Sequence, residues 1–238
     1  MKLSIIIPTL NESHYLPVSI QAVRDRSVWR PHEVIVADCG SSDDTPDIAT
    51  QSGAIVVRDD ADLSSRASAM NRGASSATGD VLLFLDADSL VPKGYDDLIR
   101  KALQQPVVVG GAFEFAFDGT GLLLRMVELV NRLRYRIWPR YFGDQGIFVR
   151  KEVFDQLHGY PAMRIMEASH FCVMLNRVGK LKLIRSQMKT SPRRFTEGGV
   201  CRVFAKDIWI WWLDLLGRQT ERFADAYQKN NRARGKKV

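Results

Sequence analysis

Val81-Leu82-Leu83-Phe84-Leu85-Asp86-Ala87-Asp88 is a continuous apolar run that ends in two carboxylates one residue apart. Bounded by Gly79-Asp80 and Pro92, it predicts a buried parallel strand, with both aspartates where the chain leaves the sheet. Open α/β sheets bind ligands at that edge. Side chains at i and i+2 of an extended chain point the same way, so Asp86 and Asp88 are expected to converge on one cation. Oxygen-only donors favour Mg²⁺ or Mn²⁺, ions that commonly bring a substrate's phosphates with them. An acidic turn has the same composition, since aspartate is common after strands. The neighbouring segments decide between the two.

Upstream, short apolar runs alternate with helical patterns. Leu3 to Ile7 reads as a strand, Leu16, Ile20 and Val23 as a helix face, and Val34 to Ala37 as the next strand. Thr45-Pro46 has the form of an N-cap followed by proline at the first helical position, opening a helix that ends near Gly53. Ala54 to Val57 is a third strand and Arg66 to Ala77 a small-residue helix. This β-α-β-α-β-α-β order implies a mixed, mostly parallel sheet flanked by helices, an α/β fold. Downstream, Val107 to Phe117 alternates in its latter part like a half-exposed strand. A basic helix from Leu122 to Trp138, an apolar strand from Gly146 to Val149, a helix from Glu167 to Val178 and a tryptophan-rich element from Val203 to Leu216 follow.

The 238 residues, 45% of them hydrophobic, are enough for one sizeable core. Cys39, Cys172 and Cys201 are scattered and match no disulfide or zinc spacing. The N-terminus runs straight into a strand, and no segment has the length of a membrane span, so the expectation is a cytoplasmic protein. A net charge of +7, with basic residues after Arg125 and again from Arg232 to Lys237, attracts phosphate-bearing ligands or anionic membranes. No recognition module for nucleic acid accompanies it.

Pro8-Thr9-Leu10-Asn11-Glu12 follows the first strand, and Asp38-Cys39-Gly40-Ser41-Ser42-Asp43-Asp44-Thr45 the second. Both bring polar side chains to the same sheet edge as Asp86 and Asp88. Neither G-x-G-x-x-G nor G-x-x-x-x-G-K-[ST] occurs, which counts against a Rossmann dehydrogenase or a P-loop enzyme. A nucleotide has to be held by side chains and a metal instead.

With Arg66-Ala67, Met70-Asn71-Arg72-Gly73-Ala74 and Gly143-Asp144-Gln145-Gly146-Ile147-Phe148-Val149-Arg150 added, these segments resemble the family 2 inverting glycosyltransferases of the GT-A fold. The resemblance spans about residues 3 to 200 and is greatest to a small bacterial branch of arsenosugar-biosynthesis type. It implies one GT-A domain over residues 1–200, with a nucleotide-sugar-binding half (1–105) and an acceptor-side half (106–200), followed by a helical extension (201–238). By resemblance, Pro8, Thr9, Asn11 and Glu12 line the base and ribose pocket and Asp38 accepts hydrogen bonds from the nucleobase. Arg66 meets the diphosphate, Asn71 lies on the donor side, Asp86 lies against ribose or sugar, and Asp88 holds the Mn²⁺ or Mg²⁺. The implied donor is a UDP-sugar. Asn71 also has the chemistry simply to bond nearby backbone.

The resemblance fails at one position. The family opens the helix beside the acceptor with Glu-Asp, the aspartate being the usual general base, whereas this chain has Glu167-Ala168. A positioned base contributes about 10²–10⁴-fold. Glu167 is the favoured replacement, with His170 as its same-face neighbour and Asp144 as the alternative. An ionised phosphate acceptor needs no base, and a nucleotide-sugar sensor or partner subunit that transfers poorly needs none either. Gln145, His170 and Arg194 are assigned to the acceptor side. A sugar-1-phosphate nucleotidyltransferase is disfavoured, because the loop from Pro8 to Ser13 lacks the glycine-rich, basic character that cradles a triphosphate. The expected acceptor is a small molecule or a lipid-linked compound. The basic 122–138 helix and the Ile208-Trp209-Ile210-Trp211-Trp212-Leu213 cluster suit a peripheral membrane contact, a homodimer or the protein's own core.

Overall fold

A computed structural model of the chain describes residues 1–29, 33–58 and 65–224. The basic 232–237 segment lies outside them. The apolar runs of the first half form β1 (Leu3–Thr9), β2 (Glu33–Asp38), β3 (Ile55–Arg58) and β4 (Val81–Phe84), and the helical patterns form α1 (Leu16–Asp25), α2 (Thr45–Gln51) and α3 (Arg66–Ser75). β1 pairs in parallel with both β2 and β4, and β2 with β3, as right-handed crossovers through helices require. The remaining strands are β5 (Ser89–Leu90), β6 (Val108–Phe117), β7 (Ile147–Arg150) and β8 (Lys180–Thr190). Together they make one eight-stranded sheet in the order β3-β2-β1-β4-β7-β6-β8-β5. β7 runs antiparallel to β4 and β6, and β5 antiparallel to β8.

Strand alternation divides the core into two layers. Ile5, Ile7, Val81 and Leu83 face α1 and α4 (Tyr95–Ala102), while Ile6, Leu82 and Phe84 face α3, α5 (Leu122–Ile137) and α7 (Glu167–Val178). α6 (Lys151–Gln156), α8 (Arg193–Gly198) and α9 (Val200–Leu215) complete the chain, and α9 packs on α5 and α8. No helix among the described residues is long and apolar enough to cross a membrane.

Three local expectations are corrected. β6 is buried throughout rather than half-exposed, because it lies inside the sheet with β7 and β8 on its edges. An irregularity in the β6–β8 register between Phe113 and Glu114 sends Phe113 to one layer and Phe115 and Phe117 to the other, breaking the expected alternation. Thr45 is not the N-cap of α2: Asp44 is, and the Thr45 hydroxyl accepts from the Glu12 amide at 2.8 Å, tying the first loop to the second. Asp86-Ala87-Asp88 is not extended, since the Ser89 amide donates to the Asp86 carbonyl at 3.0 Å and closes a turn.

Asp96, at the start of α4, is fully buried and accepts from the amides of Val28 (3.0 Å) and Trp29 (2.7 Å) and from the Ser27 hydroxyl (2.9 Å). It anchors the segment that follows α1 to the start of α4. Asp96→Ala strands those donors and is expected to cost about 3 kcal/mol of stability. Urea denaturation checks this; a midpoint equal to wild type would show that water replaces the carboxylate without loss.

Candidate active site

The loops after β1 and β2 are sewn together before any ligand arrives. The Asn11 amide donates to Ser41 Oγ (2.9 Å), the Ser42 amide to Asn11 Oδ1 (2.9 Å) and the Ser13 amide to Asp43 Oδ2 (3.2 Å). Asn11 takes a left-handed backbone, φ 57°, a conformation that asparagine tolerates better than most side chains. Pro8 sits in β1 opposite Ala37 of β2. Asp38 is wholly buried, and its carboxylate accepts from Thr9 Oγ1 (3.1 Å), the Gly40 amide (3.1 Å), the Ser41 amide (2.9 Å) and the Ser41 hydroxyl, with Arg58 Nε 3.6 Å away. A carboxylate offers about four lone-pair sites. These donors hold the Asp38 side chain to Thr9 and to its own loop.

Asp86 and Asp88 open into one polar region but reach different cations. Arg66, at the first position of α3, donates through Nη1 to Glu167 Oε1 (2.5 Å) and through Nη2 to Asp86. Burial opposes the Arg66 charge, yet Asp86 and Glu167 hold the guanidinium well above its ordinary pKa. Asp88 is bound by Arg193 Nε (2.9 Å) and Thr190 Oγ1 (3.2 Å), at the end of β8. Arg193 also donates to Glu12 Oε1 (2.6 Å), with its guanidinium 4.3 Å from the centre of the Tyr15 ring. The sequence expectation names Arg194, whose charge acts on Asp144, while its neighbour Arg193 binds Glu12 and Asp88. Arg194 pairs with Asp207 of α9 (3.2 Å). The only available signal for Arg193 was the Arg-Arg pair itself.

The region is rich in carboxylate. Of Glu12, Asp86, Asp88, Asp144 and Glu167, all but Asp144 are held directly by two arginines, Arg66 and Arg193. Burial raises the pKa of both Glu12 and Asp88 despite Arg193, and repulsion from Asp86 adds to both shifts. Glu12 Oε2 is buried with no hydrogen-bond partner. All-oxygen donors, surplus negative charge and a partnerless carboxylate oxygen fit a hard divalent cation. Among the described residues no three His, Cys, Asp or Glu side chains form a preformed cage. A divalent cation at Asp86 and Asp88 would therefore need oxygens from its ligand to complete its coordination.

Gly143–Gln145 forms a 3-10 turn between α5 and β7. Gln145 locks it, donating to the Phe113 carbonyl (3.1 Å) and accepting from the Phe142 amide (3.2 Å). A Cβ at position 143 would fall 2.7 Å from Arg66 Cζ and push the guanidinium aside. The turn thus lies directly on the Arg66–Asp86 pair. Asp144, half-buried, has no hydrogen bond or ion pair among the described residues. Burial and repulsion from Asp86 push its carboxyl up to about 7, with Arg194, Arg134 and Arg66 partly offsetting them.

Glu167 begins α7, where the helix dipole favours a carboxylate. Its Oε1 is engaged by Arg66, so it holds that guanidinium instead of standing clear. Met166 before it has φ 65°, a strained value for a non-glycine residue, which fixes the entry into the helix. Ala168 is 3% exposed and belongs to the same apolar cluster as Tyr160 and Phe171, so the residue at the family's base position offers no proton acceptor. Asn71 donates to the Tyr160 carbonyl (3.0 Å) and accepts from its amide (2.8 Å), so its amide group is committed to positioning the segment that leads to Glu167. His170 Nε2 lies 2.7 Å from Asp214 of α9, which Arg140 approaches at 3.4 Å, so His170 faces the C-terminal helix.

Residues 4–170 match the sequence profile of Glycosyl transferase family 2. The chain belongs to that family. Over 210 residues it is 29% identical to an undecaprenyl-phosphate 4-deoxy-4-formamido-L-arabinose transferase of Enterobacter, covering 82% of this chain and 62% of that protein. Over 172 residues it is 40% identical to a PGL/p-HBAD biosynthesis glycosyltransferase of Mycobacterium bovis, covering 66% of this chain and 62% of the relative. The chain therefore spans less than two thirds of the length of these relatives. Among solved structures it is similar to glucosyl-3-phosphoglycerate synthase of Mycobacterium tuberculosis, crystallised with Mn²⁺, UDP and glucosyl-3-phosphoglycerate: TM-score 0.65, 19% identity, 92% of this chain and 81% of that one. A mannosyltransferase of Pyrobaculum calidifontis, in complex with GDP-Man and Mn²⁺, gives TM-score 0.62 at 21% identity over 79% of this chain and 56% of that one. These likenesses agree with the α/β GT-A fold expected from the family 2 motifs.

Proposed function

We propose that this family 2 domain transfers a sugar, with inversion, from a nucleoside diphosphate sugar, expected to be a UDP-sugar, to a hydroxyl of a lipid-linked or small-molecule acceptor. We further propose that Asp144 is the general base. The observation that carries the reading is the pair of carboxylates Asp144 and Glu167: the first is unengaged and poised at about 7, the second is bound to Arg66. A base titrating near neutrality is suited to accept a hydroxyl proton. The acceptor oxygen attacks the anomeric carbon as its proton passes to Asp144. The bond from that carbon to the diphosphate breaks on the opposite face, and the diphosphate leaves with the electron pair. A divalent cation held by Asp88 and Asp86, when bound, supplies positive charge for that leaving group. Arg193 moves with it in this reading: its guanidinium neutralises Glu12 and Asp88 and is able to turn to a phosphate.

The acceptor class draws on the relatives, one of which is named for transfer involving undecaprenyl phosphate. A phosphate acceptor is already ionised at neutral pH, and Asp144 then has no proton to take. The second reading, a nucleotide-sugar-binding protein with little transfer, is favoured by one observation, the buried Ala168 at the usual base position.

A thermal-shift series with UDP, GDP and their sugar conjugates, with and without Mn²⁺, tests donor binding. A ligand at a hundred times its Kd adds about 2.7 kcal/mol to stability. The expected result is a shift with one nucleotide that requires Mn²⁺. No shift with any of them rejects the donor site itself. A shift without transfer in single-turnover assays selects the second reading.

A further inference from the structure

We infer that the outward faces of α5 and α9 form a docking surface for an anionic lipid bilayer. Surface helices normally turn charged side chains to water and apolar ones to the core. On α5 the outward face is apolar along its whole length: Leu122, Met126, Leu129, Leu133 and Ile137 recur at helical spacing and are all exposed, Leu122 at 79% and Ile137 at 64%. The inward face, with Leu124, Val127 and Tyr135, is buried. α5 is thus apolar on both sides, and its own core accounts for only one of them.

α9 repeats the pattern. Ile210 is buried, while Trp209, Trp212 and Leu216 are 59%, 52% and 68% exposed. The two faces are linked by rings: Trp138, just after α5, meets Trp211 at 5.7 Å between ring centres, and Trp211 meets Trp212 at 5.7 Å. Indoles with one wet edge are suited to the headgroup level of a membrane.

Charge selects the occupant. Arg125, Arg132 and Arg136 follow one another along one edge of the α5 face, with Glu128 and Glu114 as their only acidic ion-pair partners among the described residues. On α9 the exposed Arg202 and Lys206 flank the tryptophans. A second copy of the chain brings cationic rims against cationic rims, whereas anionic headgroups complement them; each Lys or Arg near such a surface contributes about 1 kcal/mol. Residues 225–238 contain five Lys or Arg and only Tyr227 and Val238 as large apolar side chains, a chemistry unsuited to covering this face. Contact of this type places the protein in the plane of the interface without a spanning segment. The inference goes beyond the transferase reading and stands without it.

The experiment is co-sedimentation of the full chain with phosphatidylcholine vesicles, with and without phosphatidylglycerol, followed by tryptophan emission. Four of the five tryptophans lie at Trp138, Trp209, Trp211 and Trp212, so emission reports this region. Binding to the phosphatidylglycerol vesicles with a blue shift is expected, and it should weaken at least about tenfold in Leu129→Glu/Leu133→Glu. Both positions are exposed, so melting temperature and the nucleotide-induced shift are expected to match wild type. Wild type that stays in the supernatant overturns the proposal. So does equal binding by the double variant, which would assign the attraction to net charge alone. A stable dimer by sedimentation velocity that the double variant dissolves, without vesicle binding, assigns the face to a second copy instead.

Discussion

Asp144→Asn is expected to lower kcat by about 10²–10⁴-fold, the usual contribution of a positioned base, while leaving the Mn²⁺-dependent nucleotide shift in place. Asparagine keeps the shape of the turn that Gln145 and Gly143 hold, but removes the proton acceptor. The pH dependence gives an independent reading. Asp144 titrates at about 7 in the folded protein, so in the wild type kcat/KM should rise with unit slope up to about that pH and then level. The variant should lose that limb. The stability sign is opposite. A carboxyl raised above its unfolded value of 3.8 favours the protonated fold, so its contribution is present at low pH and lost as pH rises through about 7. Asp144→Asn should therefore melt higher than wild type at pH 8 and nearly equal to it at pH 4. A variant with wild-type kcat and the higher melting temperature at pH 8 would retain the electrostatic account and move the acceptor to an ionised phosphate. Full activity with no stability difference would remove Asp144 from both.

Asp88→Asn is the second large effect. Altering even the groups that orient a metal's ligands costs about 10–100-fold in affinity, so removal of a ligand's charge should weaken Mn²⁺ binding by at least about a hundredfold and abolish the metal-dependent nucleotide shift. The protein without metal should not be destabilised. Burial and the Asp86 charge already disfavour ionised Asp88, and Arg193 keeps its bond to Glu12 in the variant. Isothermal titration with Mn²⁺, alone and with the nucleotide found by thermal shift, measures the loss. An unchanged metal-dependent enthalpy and Kd would assign the cation to other oxygens. Unchanged metal binding with lost nucleotide binding would assign Asp88 to the nucleotide itself.

Where periodicity and loop chemistry agreed, the reading from residues was close. β1, β2 and β4 each carry a short apolar run, Ile5-Ile6-Ile7, Val34-Ile35-Val36-Ala37 and Val81-Leu82-Leu83-Phe84, and such runs are what a parallel sheet covered on both faces demands. β8 is different. Lys180-Leu181-Lys182-Leu183 alternates as a strand does, but it follows directly on the helix ending at Val178, with only Gly179 to mark the change of period. The catalytic region shows the same division. Asp86, Asp88 and Glu12 were legible because they follow strands at the ligand-binding edge. Their partners were not: Arg66 joins Asp86 and Glu167, which is 101 positions away from it, and Arg193 reaches Glu12 across 181.

The order of residues therefore determined the α/β class, the parallel first half, the family and the loops that meet at one edge, because each is written in local spacing and side-chain type. Only the folded chain decided which carboxylate is engaged and which stands clear. Glu167 and Asp144 are equally acidic on paper. The position of one guanidinium, set by where α3 and α7 meet beyond the sheet edge, neutralises the first, and the desolvated turn over the same arginine lifts the second to about 7. Likewise, an apolar stripe on α5 reads as a core face in any sequence, and burial of the opposite stripe was needed to show that it is turned outward. Such choices depend on distances between segments remote in the chain, and Coulomb and desolvation energies change steeply over those distances.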